Sequence, residues 1–474
     1  MKRNKQQRPF LLNRHAVPVF LFVLLNLRIT AKANSDVVFP LHVNGTNNYL
    51  ADKNNKPFLL REISAWGLIQ ALPEKDEAAF IDSVKEKGFN TLLVSIISFD
   101  TRFAGNPPAW QGIMPFKKQW DFSTYNTTYF EHADRFLKMA EDKGMLVLLV
   151  PCYLGYKGDP KQGWWPKLLS ENNSVEKSRI YGEFIGKRYK DFDNIIWVAG
   201  GDNKGDKPLY NYLDNIIQGI KQFDKQHLWT GHFASEQGTN WAADNALYAK
   251  YIDVNGLYVF AEENMGTDAP QYKTELAKYG KGKMIFQLDQ SYEHDIPHDN
   301  NNENYQWIRR KNYDGLLSGC AGTSFSPGQK DNQCYVFTNW QPLMNTTGMQ
   351  QIKYCFNLFL SRAWYRLVPL PQDENVISNR GAFGSIDYVC AARTNDSSTL
   401  IAYLPLGGTI TVNLHAIKGT QAAAWWYDVR SGTAITAGEF STRDARDFTA
   451  PGNEDWVLVI DDGALKLLPP GNVE

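Results

Sequence analysis

The chain has 474 residues, of which 43% are hydrophobic and 21% charged, so it has room for two or three globular domains. Its formal net charge of −1 argues against a nucleic-acid partner or an anionic membrane surface. Aromatic residues make up 13% of the chain, which is typical either of a large core or of surfaces that stack on sugar rings.

The N-terminus has the pattern of a targeting segment. Residues 1–15 are basic, residues 16–27 form an apolar run, and Ala31 and Ala33 supply small residues for cleavage. The apolar run is shorter than the roughly 20 residues that a membrane-spanning helix needs. We therefore predict a signal peptide at 1–33 and an exported protein, either periplasmic, extracellular or on the cell surface. A retained anchor is the alternative, and no later stretch predicts an integral membrane segment.

Strands and helices alternate from about residue 57. The strands are near-continuous apolar runs, as expected where both faces of a sheet are covered. Eight strands are predicted, at 57–64, 91–99, 145–154, 195–201, 227–234, 253–261, 284–290 and 322–328. Helices are predicted at 74–88, 128–144, 174–191, 207–225, 303–319 and 346–364. This order predicts an α/β fold, a (β/α)8 TIM barrel over 34–368 that opens with a short β segment. A doubly wound sheet is the alternative, but no Gly-x-Gly-x-x-Gly follows the first strand.

The pattern changes after residue 368. Residues 369–474 hold short alternating strands separated by turn residues, with little helical periodicity. We therefore predict a small all-β sandwich as a second domain.

The cysteines and the histidines do not form a metal-binding pattern. The five cysteines include no Cys-x-x-Cys pair, and Cys152, Cys320 and Cys355 lie in apolar contexts typical of buried free thiols. Cys320 and Cys334 could form a disulfide, which the sequence leaves open. The loop at 293–303 is rich in acids and histidines but has the composition of a solvated loop. We expect no metal and no cofactor.

Barrel active sites lie at the carboxyl ends of the strands. The sequence places polar residues at these ends: Glu62, Ser64, Asp100, Arg102, Tyr153, Asp202, Asn203, His232, Glu262, Glu263, Asp289, Tyr292, Glu293 and Ser324. Asp202 ends the fourth predicted strand and Asp289 the seventh, nearly opposite each other across a barrel. Glycoside hydrolysis requires such a pair, separated by about 5–5.5 Å for retention of configuration and about 6.5–9.5 Å for inversion.

Each of these residues also has an alternative interpretation. Asp202 is a residue type that caps helices, but the next helix begins only after Pro208, which favours a catalytic role. Asp289 has rivals in Glu293 and Asp295. On spacing alone, His232 is more typical of a core histidine.

Aromatic residues near the strand ends serve either packing or sugar binding. The polar loop 154–167 favours at least one of its tryptophans facing a cleft. The residues that we predict to bind substrate are Ser64, Trp66, Tyr153, Trp164, Trp165, Asn203, His232, Tyr292 and Glu293.

Four segments carry a resemblance to a known family: "SAWGLIQAL" at 64–72, "QGWW" at 162–165, "IIWVAGGDNK" at 195–204 and "AAWWYDVRSG" at 423–432. They resemble the apiosidase-like (β/α)8 glycoside hydrolases, glycoside hydrolase family 140 and its relatives, with their C-terminal collagen-binding-type β-sandwich. The resemblance implies a retaining mechanism with Asp202, in a Gly-Gly-Asp motif, as the acid/base.

The resemblance also shows where this chain departs from the family. The family's nucleophile is a glutamate just before a Tyr-Glu pair, here Tyr292-Glu293, and its position holds Asp289. A family aspartate is replaced by Ile63, and Thr323 stands where many relatives have His or Gln. Aspartate is one methylene shorter than glutamate, so its carboxylate lies about 1–1.5 Å further from the substrate. A nucleophile misplaced by that distance can lose on the order of 100-fold in rate. Either the backbone advances to compensate, or the gap widens and favours inversion, or hydrolysis is lost and binding is kept.

We therefore predict an exported glycoside hydrolase, exo-acting and retaining, whose partner is a plant or microbial polysaccharide or oligosaccharide. The alternatives are an inverting glycosidase with Asp289 as general base and a non-catalytic carbohydrate-binding barrel. A proteolytic role lacks both a His-Glu-x-x-His and a Gly-x-Ser-x-Gly motif. The sequence sets no oligomeric state.

Overall fold

The computed structural model describes residues 37–46, 48–99, 109–156, 159–234, 239–259, 271–290, 292–293, 298–299, 302–303, 305–329, 332–333 and 337–473. The predicted signal peptide at 1–33 lies outside these ranges. So do several residues of the predicted strand ends and loops: Asp100, Arg102, Glu262, Glu263, Asp295 and Cys334. Within the described ranges, no helix is both long enough and apolar enough to span a membrane.

The first part of the chain combines short hairpins with a parallel sheet. Its strands, in chain order, are β1 (His42–Val43), β2 (Leu50–Ala51), β3 (Pro57–Phe58), β4 (Leu60–Ser64), β5 (Thr91–Ser95), β6 (Leu146–Val150), β7 (Ile195–Gly200), β8 (Trp229–His232), β9 (Thr239–Trp241), β10 (Asn255–Val259), β11 (Ile285–Gln290), β12 (His298–Asp299), β13 (Asn302–Glu303), β14 (Gly322–Phe325), β15 (Gly328–Gln329) and β16 (Asn332–Gln333). All eight predicted strands of the repeat are present, as β4, β5, β6, β7, β8, β10, β11 and β14.

These eight strands form two parallel ladders. One has the order β14-β4-β5-β6-β7-β8, and in the other β11 pairs with β10, to which β9 adds an antiparallel edge. Backbone hydrogen bonds bridge the two ladders at both junctions, from Ala321 N to Ile285 O at 2.8 Å, and from Asp253 N and Val254 N to Trp229 O at 2.9 and 3.1 Å. The strands of the larger ladder are almost wholly buried, because helices cover the sheet as the apolar runs predicted.

The helices are α1 (Leu68–Ala71), α2 (Glu74–Glu86), α3 (Thr127–Asp142), α4 (Trp165–Leu168), α5 (Val175–Tyr189), α6 (Leu209–Phe223), α7 (Tyr272–Lys278), α8 (Gln306–Leu317) and α9 (Thr347–Leu360). The six predicted helices are confirmed, whereas α7 and the one-turn helices α1 and α4 were not predicted. Between β8 and β10 the described residues form β9 and two 3-10 turns, Ala242–Asp244 and Ala249–Tyr251, in place of an α-helix. The remaining described 3-10 turns are Phe337–Asn339, Gln341–Asn345, Trp364–Arg366, Leu414–Ala416 and Gly463–Leu465.

The C-terminal part of the chain is all β, as predicted. Its strands are β17 (Leu367–Pro369), β18 (Ile377–Ser378), β19 (Cys390–Thr394), β20 (Thr399–Leu404), β21 (Thr409–Asn413), β22 (Gln421–Asp428), β23 (Thr433–Ser441), β24 (Ala445–Thr449) and β25 (Trp456–Asp462). They form two antiparallel sheets, β17-β19-β20-β25-β22-β23 and β18-β21-β24, whose apolar residues share one core. β17 spans the predicted boundary at 368/369, which stays a prediction.

Buried ion pairs join the two parts of the chain. Arg309 on α8 donates two hydrogen bonds of 2.7 Å to the carboxylate of Asp455, and Arg362 contacts Asp461 in the same way at 2.8–3.1 Å. The ring of Tyr313 stacks on Tyr403 with a centroid distance of 5.2 Å. The all-β part therefore packs on α8 and on the segment after α9.

Candidate active site

β7 ends in a turn that presents Asp202. Every residue of β7 is buried, and the following backbone takes left-handed conformations, with φ of +97° at Gly200, +109° at Gly201 and +48° at Asp202. α6 begins only at Leu209, so Asp202 does not cap it. A non-glycine residue with positive φ costs on the order of 1–3 kcal/mol, and residues strained in this way are often found at functional sites.

The two glycines allow the protein's own side chains to approach this turn. A Cβ atom on Gly201 would lie 2.6 Å from the ring of Tyr153, and one on Gly200 would lie 2.4 Å from the carbonyl oxygen of His232. Both contacts are closer than real Cβ atoms tolerate. Because the glycines have no Cβ, Tyr153 reaches the Asp202 carboxylate and donates a hydrogen bond to it.

A single imidazole lies between the two predicted catalytic carboxylates. Nδ1 of His232 is 3.2 Å from the backbone nitrogen of Asp202 and 3.7 Å from its Oδ1, and Nε2 is 3.1 Å from Oδ2 of Asp289. Since Nδ1 accepts the backbone N–H, the proton of the neutral ring is on Nε2 and is donated to Asp289. The structure thus brings Asp202, His232 and Asp289 together, as the strand ends predicted for the two acids.

The Asp289 carboxylate is buried but well supplied with donors. Its side chain is 3% exposed, against 23% for Asp202. Besides His232, the hydroxyl of Ser64 lies 3.0 Å from Oδ1 and that of Tyr292 lies 3.3 Å from Oδ2. Burial raises the pKa of Asp289, the hydrogen bond from His232 opposes that rise, and the Asp202 carboxylate adds to it.

A third carboxyl group, Glu62, lies behind Ser64. It is fully buried, and Ser64 Oγ is 3.2 Å from its Oε1. Burial and the neighbouring Asp289 together raise the pKa of Glu62 well above its ordinary value. Glu62 is one of the polar residues expected at the strand ends, but it was not predicted to be catalytic or to bind substrate. The available signal was the period of two along β4, which puts Glu62 on the same face as Ser64.

Aromatic rings enclose the carboxylates. Trp66 is buried, and its ring centroid lies 4.9 Å from that of His232 and 5.1 Å from that of Tyr153. Its Nε1–H donates to the hydroxyl of Tyr292 at 3.3 Å. The ring of Tyr258, on β10, lies 3.9 Å from His232. Trp66, Tyr153 and Tyr292 are therefore part of the site.

The two tryptophans of loop 154–167 have other contacts. Trp164 is fully buried, and its ring packs against four aromatic rings, those of Phe99, Phe116, Trp120 and Phe122. Trp165 is half-buried and donates from Nε1 to the carbonyl oxygen of Asp159. These contacts fix the loop, and substrate binding by either residue stays a prediction.

Asn203 and Glu293 also hold backbone segments in place. The Asn203 amide donates to the carbonyl oxygen of Gly155 and accepts from the backbone nitrogen of Gly205, each at 3.0 Å. The buried Glu293 carboxylate accepts from the backbone nitrogens of Gly328 and of Gly348 in the first turn of α9. Both residues stabilise the surroundings of the site, and their contact with substrate stays a prediction.

No group of three or more histidine, cysteine or acidic side chains able to hold a metal occurs among the described residues. Cys152, Cys320, Cys355 and Cys390 are buried free thiols, which confirms the prediction for the first three. Burial raises the thiol pKa of Cys152 well above its ordinary value, so this thiol is not a nucleophile.

Comparisons with known proteins identify the family to which the chain belongs. Residues 44–366 match the family described as "Apiosidase-like, catalytic domain", and residues 370–461 match "Putative collagen-binding domain of a collagenase". A solved glycoside hydrolase is 23% identical, with a TM-score of 0.72 over 90% of this chain and 99% of its own. A glycoside hydrolase family 5 protein from Bacteroides vulgatus is also 23% identical, with a TM-score of 0.73 over 91% and 97% of the two chains. At these identities the two structures show the fold alone. No curated protein matches the chain. The family match covers more than half of the sequence, and the chain therefore belongs to the apiosidase-like catalytic-domain family of glycoside hydrolases.

Proposed function

We propose that the protein is an exported, exo-acting glycosidase that cleaves a polysaccharide or oligosaccharide with retention, using Asp202 as acid/base and Asp289 as nucleophile. The observation that carries this proposal is the imidazole of His232, which accepts the backbone N–H of Asp202 after β7 and contacts the carboxylate of Asp289 on β11. A retaining glycosidase needs two acids with unequal environments.

The unequal burial of the two acids suits two different roles. The more exposed Asp202 protonates the departing glycosidic oxygen while the buried Asp289 attacks the anomeric carbon and forms a glycosyl ester. Asp202, now a carboxylate, then takes a proton from a water molecule that attacks the same carbon. The ester bond to Asp289 breaks, the sugar is released, and both acids return to their starting states.

The donors around Asp289 keep it ionised for the attack. His232, Ser64 and Tyr292 each place a donor on the carboxylate, which offsets part of the burial penalty. The pKa of Asp289 nevertheless stays above its ordinary value. Only the ionised form is a nucleophile, so kcat/KM falls at acidic pH as Asp289 takes up a proton. This acidic limb of the pH profile lies at a higher pH than it would for an exposed aspartate.

A bulge in β11 compensates for the short side chain of Asp289. Along β10, Leu257 is opposite Gln287 but Tyr258 is already opposite Asp289, so Leu288 is an extra residue in β11. A bulge bends the strand and redirects the next side chain. We infer that it advances the backbone of Asp289 toward the anomeric carbon, the first of the three outcomes expected for a glutamate-to-aspartate change.

We also infer that the two parallel ladders close into a (β/α)8 barrel. The backbone hydrogen bonds from Ala321 to Ile285 and from Asp253 and Val254 to Trp229 join the ladders at the two junctions. The connections at the carboxyl ends of β5 and β6 are long: residues 96–126 separate β5 from α3, and residues 151–174 separate β6 from α5. Such connections would wall one end of the substrate cleft, which favours attack at a chain end.

Asp202→Asn and Asp289→Asn test the two carboxylates. Asp202→Asn should lower kcat by about 10²–10⁴-fold, because the acid/base proton transfer is lost, and Asp289→Asn by at least as much. Both variants keep side-chain size, so their thermal unfolding should resemble that of the wild type. Sugar release from a panel of aryl glycosides and oligosaccharides measures the effect, and NMR identifies the first anomer formed.

The results of that panel separate the alternatives. An inverted first product would show that Asp289 acts as a general base. Oligosaccharide binding without cleavage of any glycoside would favour a binding barrel. Full activity in Asp289→Asn together with its loss in Glu293→Gln would show that the nucleophile is misassigned.

Asp289→Glu tests whether the bulge compensates for the short acid. The longer side chain should overreach, and kcat/KM should fall by about 100-fold. Steady-state kinetics on the best substrate of the panel measure this. A rise in activity would instead mean that the wild-type carboxylate stands too far back.

His232→Ala tests the link between the two carboxylates, with His227→Ala as a matched control. Both histidines are buried and contact an aspartate, but His227, 2.6 Å from Asp224, lies at the opposite end of β8. We expect His232→Ala to lower kcat by about 100-fold because both acids lose their alignment, and His227→Ala to lose stability only. Equal kinetic losses in the two variants would contradict the role of His232.

Export predicts a mature N-terminus at Asn34. The basic residues, the apolar run and the small residues at 31–33 support cleavage after Ala33. N-terminal sequencing of protein recovered from the periplasm or the medium measures this, and an intact Met1 on that protein would contradict it.

A further inference from the structure

We propose that Glu62 is a neutral, protonated acid that positions the nucleophile through Ser64, as the first member of a hydrogen-bond relay from Glu62 to Ser64 to Asp289. In this relay the Glu62 carboxyl proton is donated to Ser64 Oγ, and the Ser64 hydroxyl proton is donated to Asp289. The inference rests on the proposed function in so far as Asp289 is the nucleophile. Glu62 acts through Ser64 and is a positioning residue.

Proton counting requires a protonated member. Ser64 Oγ lies 3.2 Å from Oε1 of Glu62 and 3.0 Å from Oδ1 of Asp289. A hydroxyl has one proton, so it donates to only one of these two carboxyl groups and accepts from the other. Two ionised carboxylates would leave one of the two contacts as a repulsion between lone pairs.

The surroundings decide which group holds the proton. Asp289 receives donors from His232 and Tyr292 as well, whereas Oε2 of Glu62 is buried and has no hydrogen-bond partner among the described residues. The cation next in sequence, Arg61, has its guanidinium against the ring of Phe356, 5.8 Å from its centroid. An ionised Glu62 would therefore be an uncompensated buried charge, which is far more costly than a buried neutral acid.

The electrostatic environment agrees with this assignment. Burial is the largest cause that raises the pKa of Glu62, and the negative Asp289 is the second. Among the described residues, the titratable groups that face Asp289 are Glu62 from β4, Asp202 from the turn after β7, His232 from β8 and Tyr292 after β11. With Glu62 and His232 both neutral and Asp202 holding the proton that it donates in the proposed mechanism, the negative charge among these groups is that of Asp289.

The relay fixes the orientation of the nucleophile without burying a further ionised group. Ser64 alone could rotate its hydroxyl between the two carboxyl groups, but a proton arriving from Glu62 leaves its own proton directed at Asp289. Oδ1 is then held by Ser64, and Oδ2 by His232 and Tyr292. This restraint matters most for a short side chain such as that of aspartate, because it has less freedom to correct a misdirected carboxylate.

Glu62→Gln is the central test, because a glutamine amide is also a neutral donor of the same shape. We expect kcat/KM to stay within about threefold of the wild type and the acidic limb of its pH profile to stay in place. Infrared difference spectroscopy should show the loss of the C=O stretch of a protonated carboxylic acid. Glu275→Gln is the matched control, since Glu275 is also fully buried, with its pKa raised to about 8, and should remove a separate component.

Two further variants interrupt the relay. Ser64→Ala removes a donor to Asp289, so the acidic limb should move to higher pH as the pKa of Asp289 rises. Glu62→Leu keeps the volume but has no donor, and we expect it to lower kcat by about tenfold with little change in KM. Circular dichroism and thermal unfolding check that both variants fold.

The outcomes that would overturn the proposal are distinct from failure of the proposed function. If Glu62 is ionised, Glu62→Gln removes a negative charge beside Asp289, so the acidic limb moves to lower pH and no carboxylic acid band is lost. Equal losses in Glu62→Gln and Glu62→Leu would show a packing role only. If the wild type cleaves no glycoside, the proposed function fails, and the infrared comparison still decides the protonation state of Glu62.

Discussion

The placing of Asp202 and the buried Asp289 on the two sides of one imidazole is the constraint on which the site depends. Burial penalises the charge of Asp289, so neutral donors must surround its carboxylate. His232 meets this need from both ends of one ring: it accepts the backbone N–H of Asp202 and donates to Asp289. A protonated ring would pair with both acids but would also fix a proton between them. In the proposed mechanism, the neutral ring leaves Asp202 free to exchange its proton with the substrate.

This arrangement explains why β7 ends in an unusual turn. The carbonyl oxygen of His232 and the ring of Tyr153 occupy the space where a Cβ of Gly200 or Gly201 would lie. Asp202 itself takes a left-handed conformation, whose cost is offset by the hydrogen bonds of its backbone and carboxylate. The strain is local, since β7 before the turn is regular, buried and paired with β6 and β8 on both sides.

The sequence was most informative where periodicity and composition speak directly. Apolar runs located the eight strands, and the late start of α6 at Leu209 removed the helix-cap alternative for Asp202. It was less informative where the outcome depends on long-range packing. Trp164 lies in a polar, glycine-containing loop, but the aromatic rings that bury it come from distant segments that no local pattern identifies. The spacing predicted His232 to be a core histidine. It is buried, but its two partners, Asp202 in the turn after β7 and Asp289 on β11, are distant in sequence.

Glu62 shows a different limit and also connects two of the three departures that the resemblance implies. Alternation along β4 directs Glu62 and Ser64 to the side that faces Asp289 and leaves Ile63 in the apolar core. The aspartate that the resemblance implies at the Ile63 position has no counterpart there, while an acid one position earlier reaches Asp289 through Ser64. In the proposed mechanism, a short nucleophile on a bulged strand gains from such support, because the bulge sets its advance and the relay sets its direction. The two departures are then mutually dependent: an aspartate at 289 needs the orientation that Ser64 and Glu62 supply, and a buried acid at 62 is tolerated because it is neutral and its proton has an acceptor.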